Sequence, residues 1–244
     1  DYDTTVTARI PFLGPISDKV SRNEPNKDQE VRLNNTKITT TSDDASLIVA
    51  DAKTENSFAV TFAGNKVASW FNNGEFVAEN AKFTLKGKDS EAKAAENGWL
   101  AETKVATTKG ADLTFTLSDQ AKAIGLMQQQ SKGDVRSKLD VHVNNQAVWE
   151  LKQKGDEQRS TINALTLDNG ILDASKNAPN GSAGTDYKVK LVQQDGKDDT
   201  LTSTNGEITL ANSSYNDKLT IEGNYKATNG ILKVNTKWNS DDVN

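Results

Sequence analysis

The stretch "TNGILKVNTKWNSDD" (228–242) joins a turn signal, a short apolar strand and a polar acidic cluster. Asn229-Gly230 is typical turn chemistry, and the short, largely apolar run 231–234 is typical of a strand. Similar words occur earlier as "DNGILDA" (168–174) and "TNGEITL" (204–210). Like words that recur every two or three dozen residues favour a solenoid, in which each repeat stacks on the previous one.

The composition supports many thin core layers better than one thick core. The chain has 244 residues, of which only 34% are hydrophobic, and its net charge is −5. It has no cysteine, which excludes disulfides, thiolate catalysis and zinc–thiolate sites. No apolar run approaches the roughly 20 residues of a membrane helix. The scattered lysines form no basic stripe, so we expect no nucleic-acid partner.

We predict an all-β fold, with a parallel β-helix as the first choice. In that reading the glycines of the Asn-Gly turns, Gly170, Gly206 and Gly230, supply a positive φ at each corner, so Gly230→Val strains the backbone. Asn229 tolerates the same region of φ. An antiparallel sandwich is the alternative, because Asn-Gly also makes two-residue hairpins.

Two segments read as short helical insertions in this β-rich chain. Residues 89–99 are rich in Ala and Glu, and residues 118–130 open with Ser118 as a possible N-cap. Residues 12–30 contain two of the four prolines and predict an irregular opening loop. The chain starts at "DYDTTVTARIPF" and stops inside a repeating pattern, so we expect an excised or processed fragment.

Residues 149–244 resemble the passenger domain of a Gram-negative autotransporter, the type V secreted proteins of the pertactin and AIDA-like kind. The first matching stretch is "VWELKQKGDEQRSTINALTLDNGILDAS" (148–175), and the second is "DKLTIEGNYKATNGILKVNTKWNSDD" (217–242). Ala227 departs from the pattern, where the family commonly has Gly. The positions that match are Trp149, Ile162, Leu165, Leu167, Gly170, Leu219, Ile221, Gly223, Asn224, Tyr225, Asn229, Gly230, Leu232, Val234, Asn235, Thr236, Asp241 and Asp242.

The resemblance implies a right-handed parallel β-helix on the bacterial cell surface or outer membrane, or secreted. It implies a C-terminal membrane β-barrel that this chain lacks. It divides the chain into an N-terminal β-rich passenger region, 1–148, and C-terminal coils of autochaperone type, 149–244. Such coils fold first and template the others. Tyr225 and Trp238 are then stacking or capping aromatics.

Candidate catalytic residues are few. His142 is the single histidine and lies between Val141 and Val143 on an alternating strand, so it points away from their face. No serine motif accompanies it. The acidic pairs 43–44, 198–199 and 241–242 sit in polar turns, which favours solvated turns over catalytic or calcium-binding carboxylates. Trp70 and Phe71 are candidate sugar contacts.

The sequence therefore predicts a non-enzymatic passenger fragment that acts as a stalk and folding template, and as an adhesin or virulence factor. We expect no cofactor and no metal. The expected partner is a host surface protein or glycan, and self-association is possible in this architecture. The alternatives are the β-helical stem of a secreted protease or polysaccharide hydrolase, and a fimbrial or immunoglobulin-like adhesin subunit.

Overall fold

The protein is all-β in the computed structural model, which describes residues 5–8, 29–40, 46–51, 57–60, 75–77, 80–106, 108–176 and 184–236. These residues contain strands and turns but no helix. Within them, accordingly, no helix is long and apolar enough to span a bilayer.

Most strands belong to three sheets. In spatial order, the first sheet contains β1 (Thr5–Ala8), β2 (Gln29–Asn34), β7 (Asn80–Lys86), β10 (Asp112–Ser118), β15 (Lys138–Asn144), β18 (Ala164–Asp168), β21 (Thr200–Thr204) and β24 (Asn224–Thr228). The second contains β3 (Lys37–Thr39), β8 (Glu91–Lys93), β11 (Lys122–Ile124), β16 (Val148–Glu150), β19 (Ile171–Asp173), β22 (Glu207–Thr209) and β25 (Ile231–Lys233). The third contains β6 (Glu75–Val77), β5 (Ser57–Val60), β4 (Ser46–Asp51), β9 (Trp99–Thr103), β12 (Leu126–Gln129), β17 (Arg159–Ile162), β20 (Asp186–Leu191) and β23 (Lys218–Glu222).

The chain visits the three sheets in a fixed order. From β2 onward it passes from the first sheet to the second and then to the third, and each new strand pairs in parallel with the strand of the previous passage. We call one passage a rung. The described strands make seven rungs, numbered from the N-terminus, and the seventh consists of β24 and β25. This arrangement is compatible with a parallel β-helix or solenoid.

Antiparallel pairing is confined to short accessory pieces. The strands β4, β5 and β6 form an antiparallel edge on the third sheet, and β13 (Ser131–Lys132) pairs with β14 (Val135–Arg136) in a small hairpin. The strands around the Asn-Gly turns pair with neighbouring rungs instead of with each other. The antiparallel-sandwich alternative is therefore wrong for these strands.

Side chains that face inward stack from rung to rung in straight rows. Parallel pairing in register places equivalent positions directly above one another, so each row keeps its apolar character along the stack. Phe83 and Phe115 stack with ring centroids 5.1 Å apart. One first-sheet row consists of Val31, Phe83, Phe115, Val141, Leu165, Leu201 and Tyr225, and the second-sheet row of Ile38, Ala92, Ala123, Trp149, Leu172, Ile208 and Leu232.

The two predicted helical insertions are wrong. Residues 89–99 contain β8, and residues 118–130 contain β11 and β12. Their alanines are core residues of the second sheet: Ala92 and Ala123 are fully buried in the row that also includes Trp149. Small side chains leave room for the large indole in the neighbouring rung, so packing, not helix propensity, accounts for the alanines.

Trp149 is a core residue that joins two rungs. Its side chain is fully buried, and its indole Nε1 donates a hydrogen bond of 2.9 Å to the carbonyl of Gly125. Gly125 lies between β11 and β12 with φ of +139°, a conformation that L side chains rarely adopt. The bond satisfies the indole N–H inside the apolar stack.

The prediction that the glycine of each Asn-Gly pair supplies the positive φ is wrong, because the asparagine does so. Asn169, Asn205 and Asn229 adopt positive φ, with values of 53°, 51° and 53°. The following glycines, Gly170 and Gly206, do not. At Gly170 an added Cβ would lie 1.9 Å from the carbonyl oxygen of Val143. The asparagine supplies the turn, and the glycine permits close contact with the rung below.

Gly230 likewise lacks a positive φ, so the strain expected for Gly230→Val has no backbone basis. Gly223 does have one, at +150°, in the turn that leads from β23 into β24. The boundary between 148 and 149 stays a prediction. It falls within β16.

Candidate functional site

The seventh rung has the core pattern of the others but lies at the end of the stack. Tyr225 continues the row of Leu201, and Leu232 continues the row of Ile208. Leu201 is fully buried, whereas Tyr225 is 55% exposed and Leu232 is 66% exposed. Inward-facing apolar side chains are thus uncovered at this end among the described residues.

Each of the three sheets also has a free strand edge at this end. The strands β23, β24 and β25 are the last in their sheets and pair on one side only within the described chain. The strands β24 and β25 bond to the sixth rung, as from the N–H of Ile231 to the carbonyl of Gly206, and β23 pairs with β20 of the fifth rung. Unpaired N–H and C=O groups beside exposed apolar side chains form a surface that a further strand can extend. We call β23, β24 and β25 together the terminal surface.

A second polar surface follows the turn between the first and second sheets, which we call the first corner. One residue with positive φ begins this turn in every rung, and the set is Asn35, Gly87, Asp119, Asn145, Asn169, Asn205 and Asn229. Backbone N–H groups of this corner donate to the next rung, for example from Asn145 to Asp168 and from Asn169 to Thr204. Five residues of three rungs line a shallow, open depression there: Asp119, Gln120, Asn145, Gln146 and Asn169.

Asp119 is the charged group of the first corner. Its carboxylate accepts a hydrogen bond of 3.0 Å from Asn145 Nδ2 and pairs with Lys86 Nζ at 3.1 Å. The hydrogen bond from Asn145, and after it the one from Lys86, lower the pKa of Asp119 below 3.8. The carboxylate therefore holds three successive rungs together at their surface.

A cluster of charged groups lies where the third sheet leads back to the first. Asn163 Nδ2 donates to Asp140 Oδ1 at 2.7 Å and to Asp199 Oδ2 at 3.3 Å. Lys138 Nζ pairs with Asp140 Oδ2 at 2.9 Å. The hydrogen bond to Asp140 raises the pKa of Lys138 above 10.5, and Asp112 and Asp199 add electrostatic attraction.

This cluster is structural in its contacts. Lys138 and Asn163 satisfy the carboxylate of Asp140, while the amide N–H of Thr200 donates to Asp199 Oδ1 at 2.7 Å. A glycosidase needs one protonated and one ionised carboxyl facing each other across a substrate. Among the described residues, no group of three or more His, Cys, Asp or Glu side chains is arranged to hold a metal ion.

The described structure does not bring the candidate catalytic and ligand-contact residues of the sequence analysis together in one site. His142 is on the outer face of β15, between the registers of Thr116 and Thr166, while Val141 and Val143 are fully buried. Asp198 is exposed in the turn before β21. Trp70, Phe71, Trp238 and the acidic pairs 43–44 and 241–242 lie outside the described residues.

The predicted turn residues separate into two groups. Asn229, Gly230 and Tyr225 belong to the terminal surface, whereas Trp149, Gly170 and Gly206 lie in buried positions of inner rungs. Sequence reasoning missed the earlier members of the first corner, Asn35, Asp119 and Asn145. An Asn or Asp directly after an alternating strand is the signal that could have found them.

Comparison with known proteins gives no match: no family model, curated protein or solved structure corresponds to the chain. The geometry of the terminal surface, the first corner and the charged cluster is therefore the basis for a functional proposal.

Proposed function

We propose that the chain is a non-enzymatic β-helical stalk whose C-terminal rung acts as a folding template for a surface-displayed or secreted protein. The observation that supports this most directly is the stacking of the seventh rung on the sixth. Tyr225 and Leu232 pair in register with Leu201 and Ile208, which are both buried.

A right-handed winding is part of the proposal. Connections between parallel strands of one sheet are right-handed in about 98% of cases, because right-twisted strands pack back on the sheet only in that sense. In this fold each return to the first sheet is such a connection, as from β15 through β16 and β17 to β18.

Templating follows from the energetics of stacked rungs. A single rung buries little apolar surface, so the first one to form pays an ordering cost that its own contacts do not offset. A preformed end lowers that cost, because each large side chain covered by the next rung contributes about 1.5–3 kcal/mol. With the seventh rung as template, the side chains that are buried first belong to the sixth rung and include Leu201 and Ile208.

The autotransporter type, the bacterial surface location and an adhesin or virulence role are proposed on the sequence resemblance of residues 149–244 alone. Those motif residues that the structure describes occupy β16 and β17 of the fourth rung and the fifth to seventh rungs. The proposed partner is a host surface protein or glycan, and self-association through strand edges is a further possibility of this architecture.

Folding kinetics of two matched variants test the template. Leu201→Ala and Leu33→Ala each remove a fully buried leucine from the first sheet, in the sixth and the first rung respectively. Each is expected to cost about 2–5 kcal/mol at equilibrium. If the C-terminal rungs form first, Leu201→Ala slows refolding, and Leu33→Ala mainly speeds unfolding. Equal effects on refolding, or slower refolding only in Leu33→Ala, would contradict the proposal.

A polysaccharide hydrolase is the second candidate, favoured by one observation. The carboxylates of Asp140 and Asp199 converge on the same amide, that of Asn163. Asp199→Asn tests it: hydrolysis of acidic or neutral polysaccharides that disappears in this variant, but not in Asp198→Asn, would establish the enzyme. Unchanged products in both variants would leave the stalk as the function.

A further inference from the structure

Three Asn-Gly pairs occupy equivalent positions in three successive rungs. Asn169-Gly170, Asn205-Gly206 and Asn229-Gly230 all begin the turn from the first to the second sheet, and all three asparagines have φ near +50°. Their flanking residues are also matched. Thr precedes Asn205 and Asn229, and Ile follows Gly170 and Gly230. Asp168 before Asn169 and Glu207 after Gly206 are the exceptions, so the rates in the unfolded chain supply the reference for local sequence.

The inner two pairs are held by the next rung. The amide N–H of Asn169 donates to Thr204 O at 2.8 Å, and Gly170 O accepts from the N–H of Glu207 at 2.9 Å. The same two bonds recur one rung later. The N–H of Asn205 donates to Thr228 O at 2.9 Å, and that of Ile231 donates to Gly206 O at 2.9 Å. Gly170 and Gly206 are both buried.

The pair in the seventh rung lacks these restraints. Within the described residues no strand lies beyond β24 and β25, so neither Asn229 N–H nor Gly230 O has a partner from a following rung. Gly230 is exposed. The side chain of Asn229 has one contact with the rung below, a hydrogen bond of 3.3 Å from its Nδ2 to Asn205 Oδ1.

We propose that Asn229 is a site of spontaneous deamidation and isoaspartate formation, and that the stack protects Asn169 and Asn205 from the same reaction. The amide nitrogen of Gly230 attacks Cγ of Asn229. A new N–Cγ bond forms, Nδ2 leaves as ammonia with the proton from the glycine amide, and a cyclic imide remains. Water then adds to either imide carbonyl and opens the ring to aspartate or isoaspartate. The net change consumes one water and releases one ammonia.

We expect the rate of deamidation to depend on the position of the rung in the stack. The turn must open before the glycine nitrogen can reach Cγ of the asparagine. An asparagine held in the left-handed region by bonds to two neighbouring rungs cannot bring its Cγ to the following nitrogen without breaking them. In stacked repeats the terminal unit opens at the lowest free energy, since it has one interface instead of two. Asn229 therefore samples the reactive geometry more often than its two equivalents.

The product changes the first corner. An aspartate at 229 places a carboxylate oxygen against Asn205 Oδ1, where Nδ2 now donates. An isoaspartate also adds a methylene to the backbone just before β25. Both changes weaken the seventh rung and leave the inner rungs intact, because the inner asparagines are unaltered.

Peptide mapping of the incubated, folded protein tests the inference. Trypsin separates the three pairs into peptides 160–176, 198–218 and 227–233, and mass spectrometry with isoaspartate detection measures each conversion over time. Asn229 is expected to react at least about tenfold faster than Asn169 and Asn205 at mildly alkaline pH. That ratio corresponds to about 1.4 kcal/mol of additional opening free energy for the inner rungs.

Two controls identify the cause. In concentrated urea the three pairs should react at similar rates, because only local sequence then acts. Gly230→Ala should slow conversion at Asn229 in the folded protein, since a Cβ hinders the attacking nitrogen. Equal rates for the three pairs in the folded protein, or faster reaction at Asn169 or Asn205, would overturn the inference. So would a persistent excess at Asn229 in urea, because the rung would then not be the cause.

Asn97-Gly98 provides a fourth comparison within the described chain. The amide N–H of Gly98 donates to Ala95 O at 3.1 Å inside a turn of the second rung, so the attacking nitrogen is already engaged. We expect slow conversion there, and rapid conversion at Asn97 before Asn229 would likewise contradict protection by the stack.

Discussion

At the scale of single residues, the two members of the Asn-Gly pair have different tasks, one in forming the turn and the other in permitting contact between rungs. Asn169 adopts the left-handed φ, which a short polar side chain tolerates. Gly170 gives up its side chain to let the rung below approach, since a Cβ there would lie 1.9 Å from Val143 O. The recurrence of Asn-Gly thus reflects the spacing between rungs as well as the shape of the turn.

Gly170→Ala and Gly230→Ala form a matched pair for this division. We expect Gly170→Ala to lower the free energy of unfolding by about 3 kcal/mol, because the backbone of the preceding rung at Val143 must move. Gly230→Ala should cost below about 1 kcal/mol, since the nearest atoms to its new Cβ belong to side chains, those of Tyr225 at 3.2, Ala227 at 3.3 and Ser203 at 3.7 Å. Denaturant unfolding followed by circular dichroism measures both. If both variants lose the same free energy of unfolding, the glycine is required by the turn conformation that the two sites share. Contact with the preceding rung would then not be the reason.

At the scale of an element, the first corner is a column of polar residues that links strands of the first sheet. Its strongest contact is at Asp119, which binds Asn145 in the rung after it and Lys86 in the rung before it. Because the side chains of Asp119 and Lys86 are largely open to solvent, these contacts order the corner more than they stabilise the fold.

The titration of Asp119 tests this column. Its carboxyl should titrate below the ordinary value of 3.8, and Asn145→Ala should raise that pKa because the largest stabilising contact is lost. A group with a depressed folded pKa stabilises the fold above its unfolded pKa, and this contribution disappears as the pH falls through the folded pKa. Carboxyl NMR titration measures the shift. Lys132→Ala, in the separate β13–β14 hairpin, should leave it unchanged. An Asp119 titration identical in Asn145→Ala and the parent would contradict the proposed contact.

At the scale of the whole molecule, the described residues form a stack in which each inner rung contacts two neighbours and the seventh rung contacts the sixth alone. The apolar rows continue through all three sheets, and the core cluster of buried residues extends from Val31 to Ile208. Stability should therefore vary along the stack, because the free energy of opening depends on nearest-neighbour interfaces.

Hydrogen exchange is expected to show this gradient. Amides of β15, which pairs with strands on both sides, should exchange slowly, and amides of β24, which pairs with β21 alone in the described chain, should exchange much faster. Exchange measured by mass spectrometry on overlapping peptides resolves the two strands. Equal protection of β15 and β24 would indicate that something covers the terminal surface.

The amino-acid sequence by itself determined the β class, the turn positions and the facing of individual side chains. Alternation placed Val141 and Val143 inside and His142 outside, because side chains of a strand alternate between its faces. The Asn-Gly pairs located turns for the same local reason: few residues tolerate the conformations that turns need.

The tertiary structure decided which strands are neighbours and what each small residue is for. Alternation does not reveal which strand lies alongside, so the register of each pair and the convergence of Asp140 and Asp199 on Asn163 were not predictable. Ala92 and Ala123 suggested helix from local propensity, yet they lie in strands because their row must also accommodate Trp149. Register and packing depend on residues distant in sequence, and only the folded stack brings them together.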